Sequence, residues 1–456
     1  MRQPARRASV SMEVCVIKPT SVDDGREITE TLLANRTVVL NLEGIEVDVA
    51  QRIIDYRNQN GNFTKTDDLM NVSGIGEKKF EITTRKAYLH DALKDLLKEG
   101  KIDESVLDER LAELLEVVNS THKAVKDAPK SFDVEEHHAL ARKCAAESIV
   151  LLDNDGVLPF SNLTRVAVIG DFAKLPRYQG AGSSQVNPTK LDSFYSCLLA
   201  AGVEITAYAQ GFDRRTPTPD RKLIDEAVEV ARNAETLLLC VGLDETLELE
   251  GMDRLHMELS ESQKELIRAV GAVNKNVILV LSGGAPFVMP ERSLYRAAIH
   301  GYLGGQAGAG AMVDAILGRV NPSGKLNESW PICLEDAPST PYFPSTERTA
   351  EYREGLFVGY RYYESAGIPV RYPFGYGLSY TEFAYSNIEV SDKVVSFTVT
   401  NKGDCAGAEV AQLYVSCKNG KIYRPAKELK GFQKVFLDKG ESRRVNIAFD
   451  DKTFRY

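Results

Sequence analysis

The sequence predicts an α/β domain whose mostly parallel sheet is covered by helices. An incomplete antiparallel β-sandwich follows it, and small α+β and helical fragments precede it. Three observations predict this. Apolar runs of strand length alternate with helical runs between residues 134 and 382. Beyond about residue 383 the apolar period switches to two. Before residue 90 a short β-α-β-α pattern gives way to a glycine-tipped helical turn.

The elements follow in order. Residues 13–17 (EVCVI) and 37–42 (TVVLNL) read as short buried strands around a helix at about 22–34, and a second helix runs from Val47 to about Arg57. In the stretch 67–80 two short helices meet at a hairpin whose glycines, Gly74 and Gly76, can take positive φ. An amphipathic helix is expected from Ala92 to about Val118, with a polar linker over 119–133 and a helix from about Val134 to Val150. RVAVI at 165–169 reads as the first strand of a new domain, with further strands at 203–207, 236–242 and 276–282. Helices at 221–233 and 261–273 lie between them, the second opened by a Ser260–Gln263 capping box. VVSFTVTN, EVAQLYVSC, FQKVF and RRVNIAF then alternate as sandwich strands, about five where seven are usual.

The 456 residues carry 56 Lys+Arg against 65 Asp+Glu, a net charge of −9, with 43% hydrophobic and 27% charged residues. That balance excludes a whole-chain nucleic-acid or membrane binder, and no apolar run approaches the roughly 20 residues that span a bilayer. Arg2, Arg6 and Arg7 stand before no apolar core, so no secretory signal is expected. The seven cysteines are scattered and form no CxxC, which excludes a zinc knuckle or redox pair; Cys144, Cys197 and Cys240 sit in apolar surroundings and are expected to be buried. The adjacent His137 and His138 read as a helix start, since neighbouring positions do not share a helix face. The expectation is a reduced, cytoplasmic protein without metal or cofactor, its oligomeric state left open.

Gly304, Gly305, Gly308 and Gly310 follow an apolar segment, but Val313 stands where a dinucleotide fingerprint needs its third glycine, so they read as close-packing and turn positions. The segment 241–254 carries Asp244, Glu245, Glu248, Glu250 and Asp253 around one arginine, Arg254, just past a strand end, where ligand crevices of α/β sheets lie. Crowded carboxylates raise one another's pKa, as a general acid requires. A solvated acidic loop with an Asp253–Arg254 cap fits the same residues. At the hairpin, backbone amides with Lys78 and Lys79 could hold a phosphate, and a plain glycine-tipped turn fits equally.

EGMDR at 250–254 resembles the acid/base loop of family 3 glycoside hydrolases of the β-glucosidase type. The resemblance extends in order through HALAR (138–142), ESIVLL (147–152), GAGSS (180–184), YLGGQ (302–306), NPSGKL (321–326), GLFVGYRYY (355–363) and PFGYGLSYT (373–381). It continues into a fibronectin-III-like tail at GAEVAQLY (407–414) and RPAKELKGF (424–432). It implies Glu250 as general acid/base. Asp253 and Arg254 would shape the loop and bind sugar hydroxyls, and Gly182 and Ser183 would line the opening to a carbohydrate site. The family's nucleophile, an aspartate in a Ser-Asp-Trp-like sequence of an N-terminal barrel, has no counterpart: the only tryptophan is Trp330, in Asn-Glu-Ser-Trp-Pro. KEGKIDESVLDE at 98–109 resembles that barrel's last helix.

Residues 13–57 resemble SepF-type cell-division proteins. Residues 50–85 resemble a ComEA-type helix-hairpin-helix DNA-binding domain, although Gly44-Ile45-Glu46 stands where an upstream GIG is expected. The expectation is therefore a composite chain. Residues 1–57 are SepF-like, 58–90 helix-hairpin-helix, and 91–133 a barrel remnant with linker; 134–382 form the α/β domain and 383–456 a truncated sandwich. It is expected to be glycosidase-like but inactive alone. The alternatives are weak DNA binding through Gly74, Gly76, Lys78 and Lys79, or a division-septum scaffold.

Overall fold

The computed structural model describes residues 13–14, 40–41, 56, 59, 93, 95–129, 131–160, 165–345, 348–391, 393–417 and 422–454. They fall into two compact units, 1–130 and 131–456. The hairpin residues Gly74, Gly76, Lys78 and Lys79 and the expected helices at 22–34 and 47–57 lie outside the described residues, apart from the helical Tyr56.

In the first unit, strands β1 (Glu13–Val14) and β2 (Leu40–Asn41) pair antiparallel. The helix expected over 92–118 is interrupted. Gly100 takes φ +65°, and the Lys101 and Gly100 amides donate to Leu96 O and Leu97 O, closing a Schellman turn. Helix α1 (Glu104–Asp127) restarts with Asp103 capping the Ser105 amide. It continues through 119–127, where a linker was expected, because that stretch is polar yet holds no breaker before Pro129.

The second unit opens with helix α2 (Val134–Ser148), capped by Asp133. It includes His137 and His138. A six-stranded sheet follows, in the order β3 (Val150–Asn154), β8 (Ala297–His300), β7 (Val277–Ser282), β6 (Leu237–Gly242), β4 (Arg165–Ile169), β5 (Glu204–Ala209). All neighbours are parallel except β3 and β8, which pair antiparallel. The segment 165–169 is thus the domain's second strand, and β3 begins at Val150, where the expected helix ends, and takes in 151–154, to which the sequence pattern gave no element. Helices α3 (Phe194–Ala200), α4 (Arg221–Arg232), α5 (Glu261–Val273) and α6 (Gly308–Ile316) complete the layers. Every residue of β6 is buried, which is why it reads as an uninterrupted apolar run.

Gly304 and Gly310 do serve close packing: a Cβ on Gly304 would sit 2.8 Å from Gly308 Cα, and one on Gly310 2.6 Å from Asp192 Oδ2. Cys240 is buried and Cys197 half-buried, but Cys144 is exposed, since it lies on the outer face of α2. No helix among the described residues is long and apolar enough to cross a membrane.

Short strands β9 (Trp330–Pro331) and β10 (Val370–Tyr372) pair antiparallel around helix α7 (Tyr360–Ala366). The sandwich sets β11 (Phe383–Val390), β12 (Val394–Asn401) and β15 (Ser442–Ala448) against β13 (Gly407–Val415) and β14 (Glu428–Leu437). Its core includes Val395, Phe397, Val399, Val435, Leu437 and Val445. It is fixed to the α/β domain by Asn321, which accepts from Ser379 Oγ and the Tyr380 amide and donates to Ala406 O, and by the Lys325–Glu409 ion pair at 3.1 Å.

Candidate functional site

In sheet order, β4 feeds β5 on one side while β6 lies on the other, so the order in which strands are added reverses between β4 and β6. Such switch points open crevices at the carboxyl ends of strands. β4 pairs with β6 only over Ala167–Ile169 and Leu237–Leu239. Past that point Gly170 turns away at φ +121° and donates its amide to Ala209 O. The end of β6 therefore loses a strand neighbour, and a side chain from α5 replaces it. Gln263, fully buried, accepts from the Gly242 amide at 2.8 Å and donates to Gly242 O at 2.9 Å. The expected capping box is thus only half formed: Ser260 Oγ accepts from the Gln263 amide, but the Gln263 side chain serves β6 instead of the helix start.

The acidic loop leaves β6 here. Asp244 is buried and folds into an Asx turn, accepting from the Thr246 and Leu247 amides and from Thr246 Oγ. Glu245 pairs with Arg214 at 3.2 Å, and the same arginine pairs with buried Asp171 at the end of β4. Burial raises the Asp171 carboxyl, with Arg214 pulling the other way. Glu248 accepts from the Gly284 amide at 2.7 Å through Oε1 and from Arg177 at 3.4 Å through Oε2. Glu250 stands exposed at the tip, where Ser183 Oγ donates to its carboxylate. Gly251 takes φ +85° and turns the chain away immediately behind it.

The expected crowding of five carboxylates around Arg254 is not what the fold builds. Glu245 and Glu248 find Arg214 and Arg177, while Arg254 donates Nη1 to Pro286 O and leaves Nε and Nη2 buried without a hydrogen-bond partner. Besides Asp171, the carboxyl with a raised pKa is Glu328, and both lie outside the loop. Burial, reinforced by Glu248, pushes Glu328 up to about 7 against the pull of Arg254. Gly182, Ser183 and Glu250 do come together: a Cβ on Gly182, at φ +78°, would lie 3.2 Å from Leu249 Cδ1 and 3.8 Å from Glu250 Cβ. Asp253 is exposed beside them in sequence. Arg177 and Glu328 belong to the site but carry no motif of their own, and the only signal at Gln263 is that of a capping box. For Arg177 a signal existed, since it directly precedes the glycine-serine loop in Pro-Arg-Tyr-Gln-Gly. No group of histidine, cysteine and acidic residues among the described residues has metal-site geometry.

Glu328 gives the domain a pH dependence of defined sign. An unfolded glutamate titrates near 4.3, so between about 4 and 7 the folded state binds more protons and stability falls as pH rises through that window. Solvent screening of this half-buried group leaves about 1–2 kcal/mol of the full linkage. Glu328→Gln is expected to flatten the decline in urea midpoint between pH 5 and pH 8 and to stabilise the protein by that amount at pH 8. An unchanged slope would show that another group dominates.

Comparison with known proteins gives matches for the domains of the chain. Residues 149–380 match the family model of the glycosyl hydrolase family 3 C-terminal domain, 409–456 a fibronectin type III-like domain, and 35–85 a helix-hairpin-helix motif. The last match includes Gly74, Gly76, Lys78 and Lys79. Thermostable beta-glucosidase B of Acetivibrio thermocellus is 42% identical over 387 residues, covering 82% of this chain and 51% of that protein. An exo-alpha-(1->6)-L-arabinopyranosidase of Bifidobacterium breve is 40% identical over 386 residues, covering 81% and 51%. The chain therefore spans about half the length of these curated relatives. Among solved structures, a Bifidobacterium adolescentis GH3 beta-glucosidase superposes with a TM-score of 0.76 at 41% identity, covering 81% of this chain and 55% of the other. Beta-glucosidase 3B of Thermotoga neapolitana in complex with glucose gives 0.68 at 30% identity, covering 78% and 55%.

Proposed function

We propose that this chain, which belongs to glycosyl hydrolase family 3, carries the acid/base half of a retaining glycosidase site, with Glu250 as the proton-transferring group. The observation that supports this reading is the placement of Glu250. It is an exposed carboxylate on a loop at the sheet's switch point, where Ser183 donates to one oxygen. In such a mechanism the protonated carboxyl gives its proton to the leaving glycosidic oxygen while a second carboxylate attacks the anomeric carbon. The resulting carboxylate then takes a proton from water as that water displaces the enzyme from the sugar. The two carboxyl groups must stand about 5–5.5 Å apart.

The Ser-Asp-Trp-like segment that would carry the second carboxylate has no counterpart in this sequence. Trp330, the only tryptophan, is buried against Phe287 in the α/β domain and is not part of a Ser-Asp-Trp segment. We place the nucleophile, and most of the sugar contacts, in the portion of the relatives that this chain does not span. Since those relatives are named for different glycosides, the sugar is a property we assign to that portion as well. The 456-residue chain by itself is expected to release no nitrophenol from aryl β-glucosides above the uncatalysed rate. Release that disappears in Glu250→Gln would overturn this.

A further inference from the structure

Two strips of chain run side by side at the site, 177–183 after β4 and 243–250 after β6, and one buried side chain serves both. Arg177, only 4% exposed, donates Nε to Leu243 O at 3.2 Å, Nη1 to Gln179 O, and Nη2 to Glu248 O at 3.3 Å and to the Glu248 carboxylate at 3.4 Å. Glu248 carries the connection to a third segment through the Gly284 amide after β7. Farther along, the strips touch twice more. Ala181 and Leu249 form a parallel bridge, and Ser183 donates to Glu250. The Ala181–Leu249 bridge is a backbone contact between a buried and a half-buried residue, whereas the Ser183–Glu250 bond is at the surface, where a lone hydroxyl–carboxylate bond competes with water and is worth little by itself. Arg177 is the buried side chain that bonds to both strips, and it can hold their register.

We propose that Arg177 is the positioning residue of the acid/base loop: its guanidinium locks the two strips together so that Ser183 meets Glu250. The inference rests on the reading of Glu250 as acid/base, and it extends that reading to how the carboxylate is oriented. A guanidinium suits the task because its donors diverge in one plane toward several carbonyls and a carboxylate. A lysine ammonium would restore the charge but not that fork. Arg177 touches no reacting atom and acts only through the loop.

The test uses the full chain with carbon-13-labelled methionine methyls. Met252 lies two residues past Glu250 and is exposed, whereas Met257 and Met312 are buried and report on the fold. In the wild-type protein Ser183→Ala is expected to shift the Met252 methyl resonance. In the Arg177→Lys background the same change is expected to leave it unmoved, with Met257 and Met312 unchanged. Hydrogen exchange over 245–250 is expected to rise about tenfold or more in Arg177→Lys while β6 and β7 stay protected. If Arg177→Lys does not fold, Glu248→Ala removes the carboxylate end of the same clamp and is expected to uncouple Ser183 from Met252 in the same way. An equal Met252 shift on Ser183→Ala in both backgrounds, or unchanged exchange in the loop, would overturn the proposal. None of these readouts requires turnover. A failure of the clamp is therefore distinct from a failure of the acid/base assignment, which the hydrolysis assay addresses.

Discussion

Gly242→Ala is expected to destabilise the α/β domain by at least about 4 kcal/mol, whereas Gly251→Ala, nine residues on, costs only about 1–2 kcal/mol. Both glycines hold a positive φ, +148° at Gly242 and +85° at Gly251. The difference is what a methyl group would meet. At Gly251 nothing lies within 4 Å, so the penalty is the backbone strain alone. At Gly242 the added Cβ would overlap the carbonyl oxygen of Ser282 and sit 2.7 Å from its carbon and 2.9 Å from its nitrogen. Those atoms belong to the neighbouring strand, paired in register with Gly242, and Ser282 O already accepts from the Leu243 amide. The clash can be relieved only by separating β6 from β7 at the centre of the sheet. Overpacking of that kind has no flexible side chain to absorb it. Urea midpoints and soluble yield of the two variants measure the contrast, and a Gly242→Ala protein within about 1 kcal/mol of Gly251→Ala would refute the argument.

How far the sequence foretold this depends on what fixes each element. Helix α5 (Glu261–Val273) and strands β4 and β12 have the predicted limits, because local signals set them: a serine cap before 261, and five- and eight-residue strand patterns bounded by polar residues. Strands β3 and β8 were not legible. Val150–Asn154 continues the preceding apolar pattern without a breaker, and Ala297–His300 has two alanines and little β-propensity. β3 becomes a strand because β8 pairs with it across a long sequence separation, and β8 because it lies between β3 and β7.

The site divides the same way. Glu250 and the Gly182–Ser183 turn, which the fold brings together, were each picked out by a contiguous motif. The arginines that pair with the acidic loop were not, since Arg177 and Arg214 come from loops after β4 and β5 that meet the carboxylates only once the sheet is wound. Without that topology the nearest arginine in sequence, Arg254, took the place of both. Glu328 was missed for the same reason: its burial beside Glu248 and Arg254 is a tertiary fact.

Gln263→Leu carries the second large effect, a loss of about 3–5 kcal/mol, although leucine matches the size and apolar surroundings of the site. The wild-type amide completes the hydrogen bonding of Gly242 where β4 has already diverged from β6. Leucine leaves a buried N–H and a buried C=O with no partner, and each costs about 1–3 kcal/mol. Gln263→Glu separates this account from one based on packing volume. The introduced carboxylate can still accept from the Gly242 amide, but its second oxygen faces the Gly242 carbonyl, two acceptors in contact. Protonated, the same group donates there and restores both bonds. Its folded pKa is therefore raised, so the added penalty is small at pH 5 and grows as pH rises above the unfolded value near 4.3. Urea denaturation at pH 5 and pH 8 is expected to show a widening gap between Gln263→Glu and wild type, and no such widening for Gln263→Leu. Parallel behaviour of the two variants would mean that side-chain volume, and not the amide's two hydrogen bonds, holds the strand end beneath the acidic loop.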